Sequence, residues 1–276
     1  MLKNYQIIDR SLLGYQGKLY PSDMIIEARG ADVPEIRAWA NIDENDLASI
    51  AKHVIDIIGA CVKVTSKNPA IAYSYRDLYE HDKMFLLLYI HALTFADQAG
   101  NNVFVKGKCS KCHKEFDKLA VTPANLKYNC PDDKYAKYID SDKGVFVIPT
   151  KSYGKVEYKP STIGLGSAMM DWIPTFEPEF IKDNQTMLRI VQGLVTDWRA
   201  VNNSALRKLQ IERYNLMNGQ ALGFYIDLLD KLEITLSNEL EYVCPDCGAT
   251  FRCPLAFSGS YRSLFVSVQS FDDELQ

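Results

Sequence analysis

"KCSKCHKEF" at residues 108–116 and "VCPDCGATF" at 243–251 carry one pattern twice. Each has two cysteines separated by two residues, then a phenylalanine four residues after the second cysteine: Phe116 in one, Phe251 in the other. A tetrahedral structural metal site needs four ligands, and one such stretch offers two. Paired knuckles facing each other across an ion supply all four: Cys109, Cys112, Cys244 and Cys247. Thiolate ligands at this spacing point to zinc, so we expect a structural zinc as cofactor. Separate sites using His113 or Cys253, or metal-free turns, are the alternatives.

The stretch between the knuckles, residues 113–243, is long for a single zinc ribbon. A duplicated chain would explain it, because two like domains packed about a pseudo-twofold axis bring their knuckles together. Other residues match at the 135-residue offset of the cysteines: Tyr79 with Tyr214, Leu87 with Leu222, Tyr89 with Phe224, and Leu93 with Leu228. Leu47, Ile50, Ala51, Val54, Ile55 and Ile58 form one helical stripe. Met187, Ile190, Val191, Leu194, Val195 and Trp198 repeat its spacing at an offset of 140. Such a rhythm puts each set on one helix face.

The fold expected from this is α+β and mostly helical, with two tandem duplicated domains. Each domain would hold short strands, two or three helices and a cysteine knuckle. The boundaries are an N-terminal segment at 1–19, a first repeat at 20–128, a linker at 129–154, a second repeat at 155–268 and a tail at 269–276. Strands are predicted at 23–28, 102–108, 155–160 and 238–243. Short helical segments end near Trp39 and Trp172. Amphipathic helices start at the capping groups 42–46 and 182–185, and more apolar helices cover about 77–96 and 204–232. "GVFVIPTKSYGKVEYKP" at 144–160 reads as a hairpin that turns near Ser152 to Gly154.

Composition bounds the function. The 276 residues are 47% hydrophobic and 24% charged, enough apolar material for a core without a metal. The net charge of −4 argues against a whole-surface nucleic-acid binder. The opening "MLKNYQIIDR" does not read as a signal peptide, and the apolar run "MFLLLYIHAL" at 84–93 is too short to span a membrane. We therefore expect a soluble protein made in a cytoplasm, with no membrane partner. There the seven cysteines would stay reduced, and Cys61, on an apolar stripe, reads as a small buried hydrophobe.

Catalytic patterns are lacking. His53, His81, His91 and His113 form no recognisable catalytic set; His53 and His81 read as solvated, and His91 as partly buried. "TIGLGSAM" at 162–169 lacks the third glycine of a dinucleotide fingerprint and reads as a turn into a helix. We expect no enzyme and no small-molecule substrate.

"YRDLYEHDKMFLLLYIHALTFADQAGNNVFVKGKCSKC", from residue 75, resembles the core signature of the baseplate hub and hub-assembly proteins of T-even-like contractile-tailed bacteriophages. In that signature an acidic residue, here Asp82, precedes a Phe-Leu-Leu-Leu helix, here Phe85 to Leu88. A Thr94-Phe95 turn, a strand and a knuckle with Cys109 and Cys112 follow. The likeness covers about 14–120. In the second half, "GFYIDLLDKL" departs from it. The resemblance implies a virion protein of the tail baseplate, synthesised in the bacterial host cytoplasm. Such a protein binds other baseplate and tail proteins, and the knuckle cysteines carry over as its zinc ligands. The competing class is a zinc-ribbon nucleic-acid binder that uses the lysine-rich first knuckle with nearby aromatic rings.

Overall fold

The computed structural model describes residues 4–96, 103–172, 177–183, 185, 188–190, 212, 215–255 and 261–265. A three-stranded antiparallel sheet opens the chain: β1 (Gln6–Ile7), β2 (Met24–Ala28) and β3 (Val62–Ser66), in that order. Alternation makes β2 a strand, with Met24, Ile26 and Ala28 buried. Between β2 and β3 run α1 (Val33–Ala40) and α2 (Leu47–Cys61). Asp46 caps α2, its carboxylate accepting from the Ala48 N–H at 2.9 Å. The predicted stripe of α2 is buried only from Val54 onward. Leu47, at its start, is 83% exposed.

The run 84–93 lies in α3 (Lys83–Thr94), which packs on α2. Phe85, Leu86, Leu87, Leu88, Ile90 and His91 are all buried, as a helix apolar on every side requires. The next hairpin pairs β4 (Val103–Lys108) with β5 (Glu115–Val121). Strands β6 (Tyr128–Asn129) and β7 (Ile139–Asp140) follow, and then the predicted hairpin forms from β8 (Val145–Thr150) and β9 (Gly154–Tyr158). The last described third holds α4 (Ile163–Trp172), α5 (Pro178–Asp183), α6 (Gly219–Leu232), β10 (Thr235–Leu236) and a second knuckle hairpin, β11 (Glu239–Val243) with β12 (Thr250–Pro254).

The expectation of two duplicated, mostly helical domains is overturned. The described residues form a mixed α+β fold with twelve strands in five small antiparallel sheets. The segments predicted to correspond do not have the same neighbours. β2 is the central strand of its sheet, whereas β9 is an edge strand of β7-β8-β9. Lys182, Asp183 and Gln185 of the predicted capping group are themselves helical rather than ahead of a helix. The helix expected over 204–232 begins afresh at Asn218, whose side chain caps α6 by accepting from the Ala221 N–H. Most of the second stripe, like Tyr214 and the tail, falls outside the described residues.

The two halves also share one core instead of building one each. β10 pairs with β6 across 106 residues of sequence. The Trp39 indole donates to the Tyr261 carbonyl at 2.9 Å, and its ring meets Phe265 edge-on at 5.1 Å. The Tyr79 hydroxyl donates to the Gly144 carbonyl, and Ile163 N–H to the Leu78 carbonyl. Amphipathic helices share a period for reasons of packing, so matched stripes do not establish a repeat.

Candidate metal centre

Among the described residues, the likeness between the halves is confined to the two knuckles. In the first, Cys109 N–H donates to the Lys114 carbonyl and His113 N–H to the Cys109 carbonyl. In the second, Cys244 N–H donates to the Ala249 carbonyl and Gly248 N–H to the Cys244 carbonyl. Each turn therefore needs a left-handed residue just after its second cysteine. His113 sits there with φ of 61° and Gly248 with φ of 68°. Histidine is among the non-glycine residues that tolerate this region.

These turns bring Cys109, Cys112, Cys244 and Cys247 together, with all four sulfurs within 4.8 Å of one another. Cys109 Sγ is 3.7 Å from Cys247 Sγ, and Cys112 Sγ is 3.6 Å from Cys244 Sγ. A regular tetrahedron with metal–sulfur bonds of about 2.3 Å has sulfur–sulfur edges of about 3.8 Å. The donor set therefore fits a metal ion. Cys109 and Cys244 are buried, Cys247 is half-buried and Cys112 is exposed.

The sulfurs differ electrically. The Cys112 N–H on Cys109 Sγ, opposed by burial and helped by the Lys111 N–H, pulls the Cys109 thiol down to about 6. At Cys112 the Lys114 N–H pulls the same way, but burial and the other three sulfurs outweigh it and push the thiol up to about 12. Thiolates this close repel one another, so one sulfur ionises readily and its neighbour resists. A dication at the centre relieves that repulsion and lets the remaining protons leave.

The two hairpins pack around the sulfurs. Phe116 and Phe251, the residues paired by the sequence pattern, stack at 5.4 Å with 12° between their planes. The Tyr242 hydroxyl donates to the Ala120 carbonyl at 3.0 Å. Gly107 lets β4 approach β12: a Cβ there would lie 2.8 Å from Leu119 Cδ1 and 3.1 Å from Cys253 Cβ. Opposite charge joins the hairpins at Lys114 and Asp246, 2.7 Å apart, and Lys127, just ahead of β6, lies 3.9 Å from Glu241 of β11. Lys106 and Lys108 pair instead with Asp117 and Glu115 of their own hairpin, and Arg252 pairs with Glu239 and Glu241 of its own.

Among the described residues, neither His113 nor Cys253 belongs to the four-sulfur group. Cys253 is buried in the main core on β12, and Cys61 is fully buried there as predicted. His53 is half-buried, its Nδ1 2.8 Å from the Ser49 carbonyl oxygen. His91 is buried against Phe95 and Phe265.

The solvated reading of His81 is wrong. Its side chain is 5% exposed and stacks on the Tyr79 ring at 5.2 Å, and burial lowers its pKa. It lies beside a centre that the sequence did not disclose. Asp82 is fully buried and accepts from the Gly14 N–H (2.8 Å), the Tyr20 hydroxyl (2.7 Å) and the Tyr128 hydroxyl (2.8 Å). This carboxylate ties the N-terminal segment and the β6 region to the start of α3. The short distance from Asp82 to the Phe-Leu-Leu-Leu run was the available signal, because an acid beside an apolar helix needs buried donors.

No family model matches the chain, and no curated protein or solved structure matches it.

Proposed function

We propose that Cys109, Cys112, Cys244 and Cys247 hold a structural zinc that clamps the two knuckle hairpins together. The observation that carries this is the pair of sulfur–sulfur distances, 3.7 and 3.6 Å, which match a tetrahedral edge. Four thiolates leave no open position for a reacting water, so the site's role is structural. Zinc content of the purified chain tests the assignment: a single ion per chain supports it, and a chain purified under metal-replete conditions with none overturns it.

In this reading the protein is a non-enzymatic component of a bacteriophage tail baseplate, in its hub region or in hub assembly. It acts through contacts with other baseplate and tail proteins and resides in the virion. This part rests on the sequence resemblance alone. Co-purification with tail or hub proteins supports it, and their absence from pull-downs out of a phage-infected lysate counts against it.

The second reading, a nucleic-acid-binding ribbon, draws on the lysines of the first knuckle. Lys106, Lys108 and Lys114 are each paired with an acid, which leaves Lys111 and Lys118 as the knuckle's lysines with no ion pair among the described residues. Affinity for DNA or RNA that falls steeply with salt would favour this reading instead.

A further inference from the structure

We infer that Cys112 is an oxidation site, and that its oxidation joins the two hairpins by a disulfide to Cys244 as the metal leaves. The inference rests on the metal reading above and deepens it. Two observations carry it. Cys112 is the exposed member of a cluster whose other members are buried or half-buried. Its sulfur is 3.6 Å from Cys244 Sγ on the opposite hairpin, so the cysteine that an oxidant reaches first already touches a partner on the other strand pair.

The step balances with hydrogen peroxide as oxidant. In the metal-loaded chain, where the dication would hold Cys112 deprotonated, its thiolate attacks one peroxide oxygen, the O–O bond breaks, and a sulfenic acid and hydroxide result. The Cys244 thiolate then attacks the sulfenic sulfur, the S–O bond breaks, and a second hydroxide leaves. Peroxide takes up the two electrons that the sulfur pair loses, and solvent protonates both hydroxides. A disulfide sulfur is a poor ligand, so two of the four metal bonds are lost and the dication departs. Cys109 and Cys247, 3.7 Å apart across the same seam, can repeat the reaction with a second peroxide. The clamp is thereby exchanged for a covalent one in which the hairpins stay joined.

The test uses the full-length reduced chain as purified, treated with less than one equivalent of peroxide. Released metal is read with a chromogenic chelator, and disulfides are mapped by mass spectrometry of non-reduced peptides. The expected result is a Cys112–Cys244 linked peptide that appears first and in step with metal loss, with Cys109 and Cys247 alkylatable until later. A first disulfide within one knuckle, Cys109 to Cys112 or Cys244 to Cys247, overturns the inference. So does oxidation of Cys61, Cys130 or Cys253 ahead of Cys112. A chain that carries no metal sinks the preceding reading and this one with it, whereas a metal-loaded chain whose first disulfide lies within one knuckle overturns this one alone.

Discussion

Phe116 and Phe251 stack with ring centroids 5.4 Å apart and planes 12° from parallel, directly beside the four-cysteine cluster. Phe251 is the buried partner and Phe116 the half-exposed one. Phe251→Ala should therefore destabilise the metal-loaded chain by about 3–5 kcal/mol, the usual cost of emptying a buried aromatic site. Phe116→Ala should cost distinctly less. A double-mutant cycle by chemical denaturation should return a coupling of about 0.5–1.5 kcal/mol, and a coupling of zero would show that the stack is incidental.

Cys109→Ser and Cys244→Ser should both abolish metal binding, because each removes a ligand from the same site. Hydrogen exchange should rise across β4–β5 and β11–β12, while α2 and α3, which pack directly on each other, stay protected. Loss of metal from one variant alone would show that the knuckles bind separately.

Lys114→Ala removes the closest charge contact between the hairpins. Both side chains of the Lys114–Asp246 pair are nearly half-exposed, so the cost should be below about 1 kcal/mol and should shrink further in salt. A loss of several kcal/mol in urea titrations at high salt would contradict this.

Asp82→Ala should be far more damaging. It orphans the Tyr20 and Tyr128 hydroxyls and the Gly14 N–H in the interior, at about 3 kcal/mol or more. Thermal melts should drop accordingly, and residues 8–20 should become sensitive to protease. An unchanged melting temperature would mean that water readily replaces the carboxylate.

Burial lowers the His91 pKa from 6.5 to about 4. The native state thus resists a proton that the unfolded chain accepts. His91 costs nothing above pH 6.5, where both states are neutral. Its penalty grows as pH falls from 6.5 towards 4, by about 1.4 kcal/mol for each pH unit crossed, and is complete below that. His91→Gln should flatten this part of the stability–pH curve relative to the parent. Parallel curves would show that His91 protonates equally in both states.

The sequence by itself determined the local elements. Alternation marked β2 and the β8–β9 hairpin, the helical rhythm marked α2, and the unbroken apolar run marked the buried α3. It also named all four cysteines, because a metal knuckle is a local turn with fixed spacing. The pattern Cys-x-x-Cys followed by a residue able to take positive φ can be read without knowing the fold. Only the tertiary structure decided how the elements combine. Matched stripes over 47–58 and 187–198 looked like a repeat, yet the described strands pair differently in the two halves and one core runs through both. The same holds for His81, which read as solvated, and for Asp82 beside it. Their burial depends on Gly14, Tyr20 and Tyr128, brought in from distant segments. Periodicity reports which face of an element is apolar. It carries no information about what that face meets, and strand partners and buried donors are set by contacts between residues far apart in the chain.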